Sequence, residues 1–493
     1  MTSQSTTGNQ GGVPIYGNYI NGSWQAAKSG KTSENRNPAK PGDLIGHFAS
    51  SDAEDVAAAI AAAAAAAEGW ARTSPIARSN ILYKASEILA SRQAQVGAEL
   101  TREEGKTLKE GLGETGRAVQ ILRYFASELH QPDGEHYSSI NPATLLFTMR
   151  EPLGVTGIIT PWNFPIAIPA WKIAPALAFG NTVVFKPASL TPLCAVRLVE
   201  ALAEAGLPDG VLNLVTGSAG AIGTPLVSDD RVVAVSFTGS DTVGNQIKKI
   251  ASDRGAKVQL ELGGKNPAIV LADADLDHAM TQVINGSMMS SGQKCTATSR
   301  AIVDRKIADQ LTAGLADRIG RLNVGDPSLD STTIGPVVSE EAAEGIVGNI
   351  DKGASQGASI AIGGKRVQIE GHFVEPTLFT DVESESFLGQ EELFGPVLGV
   401  IAVDGIDEAI SVANQVRFGL SASIFTRDIG KALSFINRIQ AGIVHVNSET
   451  AGAEPHVPFG GYKGSSSYSR EQGKSARDFY TQIKTVYLDP PPS

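Results

Sequence analysis

Cysteine is scarce in this chain: Cys194 and Cys295 are the only two in 493 residues. Two scattered cysteines do not make a disulfide framework, and no ligand cluster has the spacing of a zinc site. A basic surplus is missing too. The formal net charge is -11, which repels phosphate backbones and disfavours nucleic-acid binding. No run reaches ~18 apolar residues, the length a membrane-crossing helix needs. The first residues, MTSQSTTGNQGG, have neither the basic nor the apolar region of a secretory leader. A cytoplasmic protein is expected, with its first dozen residues disordered.

What is present is a long, glycine-rich globular chain. Hydrophobic residues make up 42% and glycines number 53, which suits tight strand-to-helix turns. The length calls for two or three domains. Ser51-Asp52-Ala53-Glu54 reads as a capping box opening an Ala-rich helix to Trp70. Helical pattern continues to about Ser127.

From Val155 the rhythm changes. Short apolar runs at Val155 to Ile159, Thr182 to Phe185, Val211 to Val215, Val232 to Phe237 and Val258 to Leu262 predict strands. Helical stretches lie between them, one from Thr191-Pro192 to a stop at Gly206. This alternation predicts a mostly parallel sheet with helices on both faces. Ligands of such sheets bind beyond the carboxyl ends of the strands, where Lys186, Gly239 and Glu261 fall. A second α/β region follows, with strands expected at Asn266 to Leu271, Val397 to Val403, Leu420 to Phe425 and Gly442 to Val446. Two outlying strands, Leu145 to Met149 and Phe479 to Leu488, lack sequence neighbours. They are expected to pair with each other or with another subunit.

Chemistry concentrates at few residues. Cys295 sits among small and polar neighbours, GQKCTAT, which let the backbone turn sharply and expose sulfur. The segment alone leaves two readings open, a buried structural thiol and a nucleophile. A nearby cation or helix N-terminus would favour the reactive thiolate. Cys194 lies on a helix stripe with Leu198 and Leu202, as packing thiols do. Glu261 alternates with Leu260 and Leu262 at a strand end before two glycines. That placement is better explained by a base with raised pKa than by a solvated carboxylate. Asn163, in the proline-locked PWNFP loop, either donates to a developing oxyanion or bonds its own backbone. Gly239 and Ser240 open a helix after a strand, a plausible but unspecific pyrophosphate cradle. Lys186 reads as a phosphate or ribose contact, or as an ordinary strand-end lysine.

Seven segments in order resemble the aldehyde dehydrogenase superfamily: PWNFP at 161–165, VVFKPAS at 183–189, FTGS at 237–240, LELGGK at 260–265, GQKC at 292–295, EELFGPV at 391–397 and PFGG at 458–461. The resemblance runs from about Ile20 to Leu488. It implies an α/β fold with a Rossmann-like cofactor domain (1–130 and 152–262), an α/β catalytic domain (263–465) and a small β oligomerisation element (131–151 and 466–493). It implies that Cys295 attacks an aldehyde, that Asn163 and the Cys295 N–H hold the oxyanion, and that Glu261 activates water to hydrolyse the thioester. Lys172 matches a lysine implicated in proton relay. Ile159, Thr160, Trp162, Lys186, Ser189, Gly239, Ser240, Leu262, Glu392 and Phe394 would bind the dinucleotide. Relatives that pass the acyl group to coenzyme A lack the carboxylate at Glu261. Homodimers or homotetramers are usual in the family, and no metal is implied.

Ser189 stands where NAD-preferring members often carry a glutamate that repels a 2′-phosphate. The expectation is therefore NADP, with NAD also permitted. Two stretches, GQKCTATSR at 292–300 and NSETAGAEPHVPFGG at 447–461, resemble the α-ketoglutarate semialdehyde (2,5-dioxopentanoate) dehydrogenases of that superfamily. Succinate semialdehyde is the rival substrate, but Trp171 and Met289 stand where many of its dehydrogenases carry arginines. A carboxylate partner is left to an Arg or Lys elsewhere, or to loop amides near Glu454 to His456. A broad-specificity aldehyde dehydrogenase stays open. A non-enzymatic structural role would be marked by loss of Cys295, Glu261 or Asn163, and all three are present.

Overall fold

The computed structural model describes residues 5–491. Before the alternating region the chain folds four helices: α1 (Ala53–Arg72), α2 (Pro75–Ser91), α3 (Gln93–Glu104) and α4 (Leu108–Glu128). The cap of α1 lies one residue later than the sequence pattern suggests. Asp52, not Ser51, is the N-cap, and the reciprocal partner is Asp55 rather than Glu54. The Asp55 carboxylate accepts from Asp52 N and from Lys28 N at 3.0 Å, so it also ties the preceding loop to the helix. Ser51 is instead buried, its hydroxyl accepting from Asn18 Nδ2 at 2.8 Å.

The expected parallel sheet is present. Its order is Lys257–Glu261, Val232–Thr238, Val155–Ile159, Thr182–Lys186, Leu212–Leu214, extended by Asn18–Ile20 and Ser23–Gln25. The five strands from the alternating region run parallel, and the two added ones antiparallel. Both faces are covered, so side chains alternate between two cores: Val183 and Phe185 pack toward α2–α4, whereas Val184 packs toward α1. That explains why these strands read as continuous apolar runs. Helices α5 (Ala167–Ala178) and α6 (Pro192–Glu204) follow the strands at 155 and 182, then α7 (Thr224–Ser228) and α8 (Asp241–Asp253). Gly206 takes φ +98° just past α6, as the stop signal requires. The strand Val155–Ile159 sits between neighbours reached in opposite directions along the sheet. A crevice therefore opens beyond its carboxyl end.

The second sheet has the order Ser359–Ile362, Thr377–Thr380, Val397–Val403, Thr298–Asp304, Asn266–Val270, Ser421–Phe425, Ile443–Val446. Its central strand, Thr298–Asp304, has no apolar signature because it carries Arg300. The guanidinium is buried and donates to the carbonyls of Lys265, Val412 and Ala413. The two outlying strands pair with each other: Leu145–Pro152 runs antiparallel to Thr481–Leu488. Phe479 and Tyr480 belong to the helix before it. Ile483, Tyr487 and Leu488 stand exposed on this ribbon.

Residues 1–4 of the segment expected to be disordered lie outside the described residues. The remainder contradicts that expectation, because Thr6–Gln10 pairs antiparallel with Val13–Tyr16 through backbone bonds that polar side chains do not advertise. No helix among the described residues is long and apolar enough to cross a membrane.

Asp55→Ala would leave two backbone N–H groups unpaired and remove the reciprocal cap of α1. The expected cost is about 1–2 kcal/mol, read as a lower urea midpoint in circular dichroism. An unchanged midpoint would show that the box adds nothing to stability.

Candidate active site

The nucleophile candidate follows a tight turn. Ser290, Ser291 and Gly292 take φ of 55°, 52° and 68° in succession, a left-handed run that costs on the order of 1 kcal/mol per non-glycine residue. Neighbouring groups over-determine it. The Glu110 carboxylate, at the start of α4, accepts from Ser290 N at 2.7 Å. Ser291 Oγ donates to Gly335 O at 2.8 Å, and Gln293 Oε1 accepts from Val338 N at 3.0 Å. Asn266 Nδ2 donates to the carbonyls of both Cys295 and Ala297, at 2.8 and 2.9 Å.

Cys295 is thereby held, half-buried, on the wall of a cleft of about 1190 Å³. Burial, Glu392 and Glu261 push that thiol up to about 12, and backbone N–H groups of Thr296 and Cys295 oppose the shift. A cation, the adjacent Lys294, does interact with this thiol, but burial and the two carboxylates are the larger influences. Cys194 is buried in α6, as its stripe suggested, and burial raises its thiol as well.

Asn163 lies beside this loop. Its Nδ2 donates to Gln293 O at 2.9 Å, which uses one amide hydrogen and leaves the second. Its own carbonyl accepts from the buried Lys106 amine, which also sits 3.8 Å over the Phe164 ring. Glu114 pairs with that lysine at 2.7 Å and accepts from Ile166 N and Ala167 N, both at 3.1 Å. An ion pair under the PWNFP loop thus fixes the amide.

Glu261 ends its strand buried. Ser466 Oγ donates to Oε2 at 2.6 Å, while Oε1 has no partner. Burial and then the charge of Glu471 raise its pKa well above the ordinary carboxylate range, against the opposing pull of Ser466 and Lys172. Lys172, on α5, is fully buried and ion-paired to Glu471. It also donates to Ser236 Oγ at 2.9 Å. Lys172 therefore stands behind Glu261, linked through Glu471, rather than beside the thiol.

Residues expected to bind the dinucleotide gather at the crevice of the first sheet. Ile159 ends the central strand, and the next residue, Thr160, has a buried hydroxyl with no partner. Lys186 is buried, donates only to Pro187 O at 3.1 Å, and is pushed down to about 8 by burial alone. It is thus not a solvated strand-end lysine. Ser189 is exposed and donates to Gly217 O at 2.8 Å. Gly239 and Ser240 lead into α8, where Ser240 is the N-cap residue but its side chain makes no cap bond. Leu262 is buried, with its N–H on Ser465 O at 2.8 Å. Glu392 Oε1 accepts from Gly264 N at 3.0 Å and is raised to about 7 by burial. Phe394, at φ 55°, packs edge-on to Trp162 with centroids 5.4 Å apart. An unpaired buried amine, an orphan hydroxyl and an open helix N-terminus fit a pyrophosphate and ribose.

Residues 24–486 match the model of the aldehyde dehydrogenase family. The chain belongs to the aldehyde dehydrogenase family. This aldehyde dehydrogenase is 48% identical over 479 residues to an alpha-ketoglutaric semialdehyde dehydrogenase of Bacillus subtilis, covering 96% of this chain and 98% of that one. It is 47% identical to an alpha-ketoglutarate semialdehyde dehydrogenase of Haloferax volcanii, covering 95% and 98%. The crystal structure of an NAD-dependent aldehyde dehydrogenase from Sinorhizobium meliloti superposes with a TM-score of 0.94 at 37% identity, covering 97% and 96%. The motifs read from the sequence converge at one site, but Glu110, Asn266, Ser466 and Glu471 were not foreseen. Only Asn266, directly after LELGGK, carried any local signal.

Because folding raises the Glu261 pKa, the folded state holds that proton more tightly than the unfolded chain. Stability is therefore lost as pH rises from the ordinary carboxylate pKa toward the raised one. Glu261→Gln, neutral and able to accept from Ser466, should raise the thermal midpoint near pH 8. The gain should shrink toward pH 5. An equal gain at both pH values would rule out ionisation as its cause.

Proposed function

We propose that this aldehyde dehydrogenase oxidises α-ketoglutarate semialdehyde (2,5-dioxopentanoate) to α-ketoglutarate by hydrolysis of a cysteine thioester. The two relatives carry that activity in their names. The observation that carries the mechanism is the close passage of the Gly263-Gly264 link, which directly follows Glu261 and Leu262, against the nucleophile turn: a Cβ at Gly264 would lie 2.6 Å from the Cys295 carbonyl oxygen. Glu261 is also among the charges that raise the Cys295 thiol.

In this reading Cys295 Sγ bonds to the aldehyde carbon. Its pKa near 12 requires the thiol proton to leave within the step. Glu261 Oε1, buried and unpartnered, is the acceptor in this reading. The aldehyde oxygen becomes an oxyanion, met by the free amide hydrogen of Asn163 and the Cys295 N–H. Such a donor is worth ~3 kcal/mol in a preorganised site. A bound nicotinamide dinucleotide supplies the hydride acceptor. Once that proton has left Glu261, the carboxylate takes a proton from the water that attacks the thioester carbon, the Cys295 sulfur leaves and takes this proton back as a thiol, and the carboxylic acid is released. Glu471 and Lys172, ion-paired behind Glu261, set the charge it feels as that proton is gained and lost.

Lys186, Ser240, Thr160 and Glu392 would hold the dinucleotide, with Trp162 and Phe394 beside its ring. No carboxylate acts on Lys186, and Ser189 adds no charge. We therefore assign NADP as the preferred cofactor, with NAD accepted, although the Sinorhizobium meliloti neighbour is NAD-dependent. The exposed ribbon of Leu145–Pro152 and Thr481–Leu488 suits a subunit contact in a dimer or tetramer. The two free thiols suit the reducing cytoplasm.

Cys295→Ala should abolish oxidation and keep dinucleotide binding in a fluorescence titration. Turnover in that variant would refute the covalent route. Glu261→Gln should release one burst of reduced cofactor without steady turnover, and a parent-like steady rate would remove its role as base. In the parent, log kcat should rise with pH through the raised pKa of Glu261.

The substrate is tested by initial rates with α-ketoglutarate semialdehyde, succinate semialdehyde and aliphatic aldehydes, each with NAD and NADP. The highest kcat/KM is expected for the five-carbon keto acid with NADP. A flat profile, or a preference for succinate semialdehyde, would overturn the substrate assignment and leave the Cys295 chemistry standing.

A further inference from the structure

The proposed substrate ends in a carboxylate, and at the places where many succinate semialdehyde dehydrogenases carry arginines stand Trp171 and Met289, both on the cleft wall. The cleft has four other basic side chains along its wall: Lys106, Lys109, Arg117 and Lys294. Lys106 is consumed by Glu114 and the Asn163 carbonyl. Lys294 is buried, donates to Asn285 O at 3.1 Å and lies near Glu449. Lys109 is solvent-exposed in the first turn of α4.

Arg117 is different. It is half-buried on α4 and makes no hydrogen bond or ion pair among the described residues. Other arginines drawn out of solvent find several acceptors: Arg300 three carbonyls, Arg78 the carbonyls of Trp70, Ala71 and Thr73 (though its Nε has none), and Arg197 the carboxylates of Glu99 and Glu200. A desolvated guanidinium without an acceptor is costly, and burial already weakens its hold on the proton. Glu454 is near enough to act on Arg117 yet does not pair with it. An anion entering the cleft would therefore displace water and not a protein partner.

The placement on α4 fits. Glu110, at the start of the helix, bonds the turn that leads to Cys295. Arg117 lies two turns further on, about 10 Å along the axis. Between them on the same face is Gly113, where an added Cβ would meet nothing within 4 Å. The groove from thiol to guanidinium is therefore open. Both the thiol and the guanidinium lie on the wall of the same cleft.

We propose that Arg117 grips the distal carboxylate of the substrate and selects short aldehydes that end in an anionic group. The inference rests on the substrate reading above and adds the residue that reading lacked.

The test uses the full-length enzyme and its Arg117→Leu and Arg117→Lys variants. The readout is the ratio of kcat/KM for 2,5-dioxopentanoate over that for pentanal, an uncharged aldehyde of equal length. Arg117→Leu should lower the ratio by about 10- to 100-fold, mainly through KM for the acid. Arg117→Lys should restore part of it. Product inhibition by α-ketoglutarate should weaken in parallel, a binding effect that general damage to the site's chemistry would not produce. If the parent prefers the acid and both variants keep its ratio within about twofold, Arg117 is not the anchor and the substrate reading survives. If the parent itself shows no preference over pentanal, the substrate reading falls and the anchor with it.

Discussion

Gly263 and Gly264 let three segments meet closer than any side chain would allow. A Cβ at Gly263 would lie 2.1 Å from Glu392 Oε2, and one at Gly264 would lie 2.6 Å from the Cys295 carbonyl oxygen. These two residues join the last strand of the first sheet to the first strand of the second. Their stretch passes between the nucleophile turn and Glu392 and bonds both: Gly264 N to Glu392, Asn266 to Cys295. Glu261 ends its strand two residues before this crossing. The placement of Glu261, the nucleophile candidate Cys295 and the Glu392 side of the crevice is thus set by one short link between sheets rather than by separate loops.

That crossing concentrates like charge. Cys295 feels Glu392 and Glu261, and Glu261 feels Glu471, all within a poorly solvated volume. Each anionic form is disfavoured there. Such an arrangement costs stability and persists because the surrounding fold supplies it elsewhere. Apolar clusters cover both faces of both sheets. The Lys172–Glu471 pair brings one compensating cation into the acidic group, and Ser466 and Ser236 hold its geometry. A carboxylate that resists ionisation is a poor structural element, and it is suited to taking up a proton.

Much of this was legible in the sequence. Doubly covered parallel strands read as unbroken apolar runs, and Thr191-Pro192 and Gly206 bracket α6 as their backbone preferences dictate. The strand Thr298–Asp304 escaped notice because Arg300 is neutralised by carbonyls more than 100 residues away for two of its bonds. Thr6–Gln10 escaped because polar strands pair through their backbones. At the site, Cys295, Glu261 and Asn163 stand in distinctive segments. Their supports do not: Glu110 reaches Ser290 across 180 residues, and Glu471 reaches Lys172 across 299. No local pattern encodes such pairings, since only the tertiary fold brings the partners together.

The remaining charges follow one logic. A chain with net charge -11 repels anions at long range, yet a dinucleotide and a keto acid are both anions. Attraction must then come from individual cations freed from protein partners. Lys186 at the crevice and Arg117 in the cleft are such groups, each partly or wholly desolvated and neither ion-paired. Lys106 and Lys172, equally buried, are already paired with Glu114 and Glu471 and serve the protein's own geometry. Pairing state, more than position alone, separates the cations that build the site from those left for its ligands.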